Sequence, residues 1–295
     1  MSTPKTVRFF LEDRLRESAQ SGQHNFINKV ADVLRVHGFD VAFHKMSDRG
    51  TGGYALTHMK VPETGHGLTF RRVYHYPFWQ IDQTDKRWDW RVAQAQFDPV
   101  QIDEKEANRF YNFWRKRLYD LQGDCDDDGF VYVPLQGKLT QHRSFQSCSP
   151  IEMIERVMAA LPDRKIIATF HPKEEYLQSE QNTMARLEQR HSQLELRTGQ
   201  MIDLLPKCAC VVTQNSSAAF NGYFYGKPAV LFGKIDFHHI ALDGMQLSDF
   251  GQIANHRPDY ARYIWWFWQN QSINAGHPSA EEKITDRLRA FGWIE

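Results

Sequence analysis

The chain has 295 residues, 41% of them hydrophobic and 24% charged, and its 36 basic and 36 acidic side chains leave a formal net charge of zero. That composition suits a soluble globular protein with core material for one large or two ordinary domains. It excludes the basic excess typical of a nucleic-acid binder, and no apolar run is long enough for a membrane span.

Residues 1–8 lack the apolar core of a signal peptide. The four cysteines, Cys125, Cys148, Cys208 and Cys210, fit no zinc spacing and read as reduced thiols of a cytoplasmic protein.

In chain order, an apolar strand is predicted at 7–11. A helix follows at 25–37, with Phe26, Val30, Val33 and Leu34 on one face and Gly38 as its terminator. A strand at 41–44 completes a β-α-β unit. The loop Gly50, Thr51, Gly52 and Gly53 lacks the strand-to-helix setting of a dinucleotide fingerprint and reads as a turn. Residues 68–81 are aromatic and basic, and suggest two strands around a loop at Tyr76-Pro77. Here Tyr74, Tyr76 and Trp79 are either core or sugar-stacking surfaces. A helix at 104–121 carries Ala107, Phe110, Tyr111, Trp114, Leu118 and Leu121 on one stripe.

Residues 123–129 are acidic, flanked by glycine and bare of apolar groups, which marks a linker. A metal-binding Asp-x-Asp is the rival reading. In metal-dependent sugar transferases that motif follows an apolar strand, whereas here it follows an amphipathic helix.

The second half alternates regularly. Strands are expected at 130–135, 165–170, 194–197, 209–213 and 229–232. Helices fall between them: one opened by Ser149-Pro150 with Ile151, Ile154, Met158 and Leu161 inside, one from Pro172 burying Leu177, Met184 and Leu187, a short one at 201–205, and one from Asn215 to Gly226. Such alternation means a parallel sheet covered on both faces. Helices at 259–270 and 279–291 close the chain. The aromatic run Tyr263, Ile264, Trp265, Trp266, Phe267, Trp268 is expected to pack on the body rather than at a membrane surface. The fold class is therefore α/β, two Rossmann-like domains facing a cleft with C-terminal helices. The domains are placed at 1–122 and 130–295.

Strand ends supply the chemistry, because ligands of open parallel sheets bind outside the carboxyl ends of the strands. Helix N-termini there favour phosphate. Gln136 ends one strand, with Gln141, His142, Arg143 and Ser144 in the following loop. His171 ends another, followed by Pro172 and Lys173. It either donates to a phosphate or sugar oxygen or caps a helix. Thr213 and Gln214 lead into Asn215, Ser216 and Ser217, which cap a helix and offer donors beside its first N–H groups. His142 and Arg143 either reach an anion or lie solvated. His238 and His239 are adjacent, with no third ligand in view, so metal is not expected.

These residues carry a resemblance. The stretch 131–242 resembles the bacterial capsule polysaccharide biosynthesis proteins, which include β-Kdo transferases using CMP-Kdo. The matching features are Val133-Pro134-Leu135-Gln136, His171-Pro172, Asn215-Ser216-Ser217, and Gly226-Lys227-Pro228 with the apolar strand after it. The resemblance implies the two-domain GT-B fold. A similar His-Pro and serine pair grips CMP in GT-B sialyltransferases, so His171 with Ser216 or Ser217 is implied to hold the single phosphate of CMP. In the loop after Gln136 the family carries an acidic residue and serines. This chain has Gln141, His142, Arg143 and Ser144 instead.

The resemblance implies an inverting, metal-independent glycosyltransferase of capsule or surface polysaccharide assembly, using no cofactor. Its donor would be a CMP-activated sugar and its acceptor a polysaccharide or lipid-linked glycan. Nucleic acid is not expected as a partner, and peripheral attachment at the inner membrane stays open. The general base is expected in the first half, with His75 and Asp82 as the leading candidates beside Asp89 and Glu63. Two alternatives remain: a non-catalytic nucleotide- or carbohydrate-binding subunit of a capsule assembly or export complex, and a UDP-sugar epimerase of the same fold.

Overall fold

The computed structural model describes residues 5–50 and 52–295. Residues 1–4 of the N-terminal segment and Thr51 of the glycine loop lie outside them. In chain order the elements are β1 (Lys5–Leu11), α1 (Asp13–Gln20), α2 (Asn25–Val36), β2 (Phe39–Lys45), β3 (Tyr54–His58), β4 (His66–Arg72), β5 (Phe78–Asp82), α3 (Arg91–Gln94) and α4 (Glu104–Tyr119). There follow β6 (Val131–Pro134), α5 (Pro150–Ala160), β7 (Ile166–Phe170), α6 (Gln178–Arg190), β8 (Leu194–Thr198), α7 (Met201–Leu204), β9 (Cys210–Thr213), α8 (Ser217–Phe224), β10 (Ala229–Leu231), β11 (Leu242–Asp243), α9 (Phe250–Asn255), α10 (Tyr260–Ile264), β12 (Ile273–Asn274) and α11 (Ala280–Ala290). A π-helical stretch, Trp265–Asn270, continues α10.

The chain divides into two compact units, residues 1–95 with 266–295, and residues 96–265. The sequence places the division at 122–130, and that is corrected here. Two contacts explain the difference. β12 pairs antiparallel with β5, Ile273 opposite Trp79, and Ile284 and Leu288 of α11 join the core around Val7, Phe26 and Leu34. Helix α4 is held within the second unit, where the Tyr111 hydroxyl and the Arg115 guanidinium donate to the Tyr223 and Phe224 carbonyls of α8. Apolar burial, rather than the exposed acidic linker, sets the division.

In the first unit the sheet order is β12-β5-β4-β3-β1-β2. Strands β1 to β4 run parallel, and β5 runs antiparallel to β4. Its core stacks Phe26 flat on Trp79, ring centres 4.7 Å apart. That makes Trp79 core rather than a sugar platform.

In the second unit all strands are parallel, in the order β11-β10-β9-β6-β7-β8. Read from β8 and counted within the unit, this is the third, second, first, fourth, fifth and sixth strand side by side. That is the doubly wound order, and its direction of winding reverses between β6 and β9. Ser149 caps α5 in a capping box with Glu152, as the Ser-Pro pair predicts. Burial pushes the Cys208 thiol up to about 12, and all four cysteines are free. Trp266, Phe267 and Trp268 are buried, so the aromatic run packs on the body as expected.

Candidate functional site

Neighbouring strands β9, β6 and β7 deliver Asn215, Gln136 and His171 to the same carboxyl edge of the second sheet. Gln136 and Asn215 flank the point where the winding reverses, the place where open parallel sheets commonly bind ligands. The Thr213 hydroxyl ties β9 to β6 by donating to the Pro134 carbonyl at 3.3 Å, and it accepts from the Ser216 N–H at 3.4 Å. The Gln214 amide donates to the Cys148 carbonyl at 3.0 Å. Thr213 and Gln214 are buried and build the edge instead of facing a ligand. Helix α8 starts at Ser217, two residues later than predicted. Ser216 is its N-cap, accepting from the Ala218 N–H at 3.3 Å, and Ser217 is exposed in the first turn. Asn215, half-buried, precedes the cap.

His171 is exposed, but no helix starts at Pro172. Its ring Nδ1 accepts the Lys173 N–H at 3.2 Å, and its carbonyl accepts the Glu174 N–H at 3.1 Å. These local bonds close a turn that competes with the helix, so α6 begins only at Gln178. Leu177, expected inside, is 63% exposed. With Nδ1 accepting, the neutral imidazole carries its proton on Nε2, which is a donor. The His171 N–H donates to the Tyr176 hydroxyl at 2.9 Å, and that hydroxyl donates to the Leu135 carbonyl at 3.4 Å. This pins the turn to the end of β6. The Glu174 carboxylate accepts the Gly137 N–H. A Cβ at Gly137 would stand 2.6 Å from that carboxylate, so a larger residue there displaces the Glu174 side chain.

Strand spacing limits what these groups do together. The ends of β9 and β7 are two strands apart, about 10 Å. One phosphate does not touch both backbones.

The loop at 141–147 is tied to its surroundings, although Gln141, His142 and Ser144 are exposed. The His142 ring bonds the Gln146 carbonyl. The Arg143 N–H donates to Gln146 Oε1 at 2.8 Å, and its guanidinium lies 4.8 Å over the Phe145 ring. Ser147 N–H donates to Phe232, and Lys234 N–H to Phe145, both at 2.7 Å, fastening the loop to the end of β10. His238 and His239 stack, each with its own partner: His238 at the Ile235 carbonyl and His239 at the Tyr263 hydroxyl. Among the described residues, no group of three His, Cys, Asp or Glu side chains is placed to hold a metal ion.

A cavity of about 580 Å³ opens elsewhere in this unit, near the amino ends of β6 and β7. Three of its four cations are already engaged. Lys165 and Arg197 pair with Glu195, and Arg164 lies 3.6 Å over the Phe250 ring. It lacks the helix terminus and polar strand ends of the opposite edge.

In the first unit, the two candidate bases stand at opposite ends of β5. His75 sits in the turn before β5, beside the carboxyl end of β4, with its ring 5.7 Å from that of Trp268. Asp82 ends β5, level with Thr69 of β4 and Thr57 of β3. It is 4% exposed, and its oxygens accept the Gln83 N–H at 2.8 Å and the Arg91 N–H at 2.9 Å. Burial raises its pKa. Asp82 fastens the chain at α3 and has no free approach for a substrate proton. Glu63 pairs with Arg49 at 3.3 Å.

A pair that the sequence reading missed occupies the carboxyl edge instead. Glu12 follows β1 and His58 ends the adjacent β3, with Oε2 and Nδ1 2.8 Å apart. The histidine side chain is 12% exposed and the carboxylate 50%. Burial lowers the His58 pKa, and Glu12 opposes that shift. His24, whose Nδ1 caps α2 by accepting the Ile27 N–H at 3.2 Å, is also lowered by burial. The missed signal was the short strand Tyr54–His58, without which His58 had no strand to end.

A largely parallel sheet in the first unit and a fully parallel one in the second define an α/β protein of two Rossmann-like units. Residues 128–261 match the family described as capsule polysaccharide biosynthesis protein, a span that contains the stretch where the sequence carries the resemblance. No curated protein matches the chain. The fold resembles that of the beta Kdo 2,7 transferase of Thermosulfurimonas dismutans KpsC, with a TM-score of 0.55 and 12% identity over 97% of this chain and 99% of that one. The beta Kdo 2,4 transferase of the same KpsC gives a TM-score of 0.49 at 12% identity, covering 88% of this chain and 89% of that one. The first likeness shows the fold class, GT-B, along nearly the whole chain.

Proposed function

We propose that this chain is a glycosyltransferase of capsule or surface polysaccharide assembly, taking a CMP-activated acidic sugar such as CMP-Kdo and needing no metal. One observation carries the reading: Gln136, His171 and the α8 N-terminus share the carboxyl edge where the winding of a parallel sheet reverses, inside the segment that matches the capsule family.

In this reading the N-terminus of α8 and Ser217 receive the single phosphate, and Nε2–H of His171 donates to the nucleotide from the neighbouring strand. Both favour the charge that grows on the phosphate as the sugar departs. Helix-end attraction is worth roughly 0.3–2 kcal/mol, and a hydrogen bond to a charged group about 1.5–3 kcal/mol. A monophosphate leaving group therefore needs less counter-charge than a diphosphate, whose chemistry commonly recruits a divalent cation. The Glu12–His58 pair takes the place of His75 and Asp82 as the base for the acceptor hydroxyl, with Glu12 orienting the imidazole. Direct displacement by that hydroxyl inverts the anomeric centre. The configuration of the product relative to the donor reads whether this course is followed. The acceptor is proposed to be a polysaccharide or lipid-linked glycan.

Calorimetric titration with CMP, CMP-Kdo, UMP and UDP, with and without EDTA, tests the donor assignment. Binding of CMP that is unaffected by EDTA and tighter than that of UDP is expected. Preference for UDP, or loss of CMP binding in EDTA, contradicts it.

A further inference from the structure

Helix α4 sorts its charges by face. The first-turn acids are engaged on the side of α10: Glu104 pairs with Arg262 at 3.0 Å, and Glu106 accepts from the Trp265 indole at 3.2 Å. Ala107 and Trp114 are buried, and Arg115 donates inward to the Phe224 carbonyl at 2.7 Å. The opposite face is cationic. At 100° per residue, Lys105, Arg109 and Lys116 fall within about 40° of one another, with Phe113 beside them and Arg117 at the margin. Lys105, Arg109, Lys116 and Arg117 are all exposed. Among the described residues, the first three form no ion pair. The row is about 16 Å long, at 1.5 Å of rise per residue. Phe113 is 56% exposed in the middle of it, and Val100, in the turn that leads into the helix, is 84% exposed. On a chain of zero net charge, this is a local cationic stripe with an apolar side chain set in it.

We infer that this face of α4 docks on an anionic phospholipid leaflet. Cations alone suit any polyanion. An exposed phenylalanine among them suits a surface that has an apolar layer beneath its charged headgroups. The inference is independent of the donor chemistry proposed above and stands or falls without it. No helix among the described residues is long and apolar enough to cross a membrane, so the attachment is to the surface.

The test is co-sedimentation of the whole chain with phosphatidylcholine vesicles, with and without 30% phosphatidylglycerol. Pelleting is expected with the anionic vesicles only, falling as salt rises. The triple variant Lys105→Ser, Arg109→Ser, Lys116→Ser is expected to lose about a hundredfold in partition, at about 1 kcal/mol per cation. Phe113→Ser is expected to lose several-fold at unchanged charge. All four positions are exposed, and an unchanged melting temperature shows that each variant is folded. No pelleting on anionic vesicles overturns the inference, as does equal pelleting on neutral ones or an undiminished triple variant. Displacement from vesicles by soluble dextran sulfate that is indifferent to Phe113→Ser would assign the stripe to a soluble polyanion and likewise overturn it.

Discussion

At His171 the local hydrogen bonds decide the chemistry. The Lys173 N–H holds Nδ1, which makes Nε2 the donor. Because the side chain is exposed, His171→Ala should weaken CMP binding about ten- to a hundredfold with no change in melting temperature. Titration of the variant checks this. Glu174 has the opposite sign. Its carboxylate occupies the Gly137 N–H beside the proposed phosphate seat, and two like charges about 4 Å apart in water repel by about 1 kcal/mol. Glu174→Gln should therefore bind CMP a few-fold more tightly, and weaker binding would show that the carboxylate supports the seat instead. At the other unit's edge, Glu12→Gln and His58→Ala should lower kcat at least tenfold while leaving CMP affinity unchanged. Burial holds the His58 pKa below the usual histidine value, and the base must be neutral to act. Activity should thus rise with pH through a point below 6.5 and then level off. The same shift makes the unfolded chain bind more protons in that window, so the His58 contribution to stability is present above 6.5 and is lost as pH falls through the folded pKa.

Elements turn these residues into an edge. The first turn of α8 is set by Ser216, whose hydroxyl accepts from Ala218. Ser216→Ala should cost about 1 kcal/mol of stability and weaken CMP binding as well, because a frayed first turn no longer aims its N–H groups. Parallel measurement of melting temperature and CMP affinity checks the coupling. A fall in stability with unchanged affinity would separate the cap from the site. At this scale much was legible beforehand. The five strands of the second unit could be read because each is a short apolar run between a cap signal and a glycine or polar turn. The N-caps Ser149 and Ser216 follow simple side-chain rules. Among what escaped are the short α1 and β3, and the true start of α6, displaced by the ring of His171 and the hydroxyl of Tyr176. Those are tertiary and side-chain effects that periodicity does not encode.

For the whole molecule, the parallel sheet of the second unit was implied by strand–helix alternation, whereas its strand order and the return of the C-terminal segment were not. Nothing in the sequence of α11 says that it packs beside α2 rather than against the unit preceding it. Only the shared core of Ile284, Leu288, Val30 and Leu34 settles that. The candidate edge of the second sheet could be read from residues at the ends of predicted strands. The proposed acceptor-side base could not, because it required knowing that β1 and β3 are neighbours, and so that Glu12 and His58, 46 residues apart, meet. The most direct measurement is release of CMP by the purified chain from CMP-Kdo in EDTA, with and without a capsule-type glycan acceptor. Acceptor-dependent release, abolished in the His171→Ala and Ser217→Ala double variant, is the predicted result. Nucleotide release from UDP-sugars alone, or CMP release that the double variant retains in full, would contradict it.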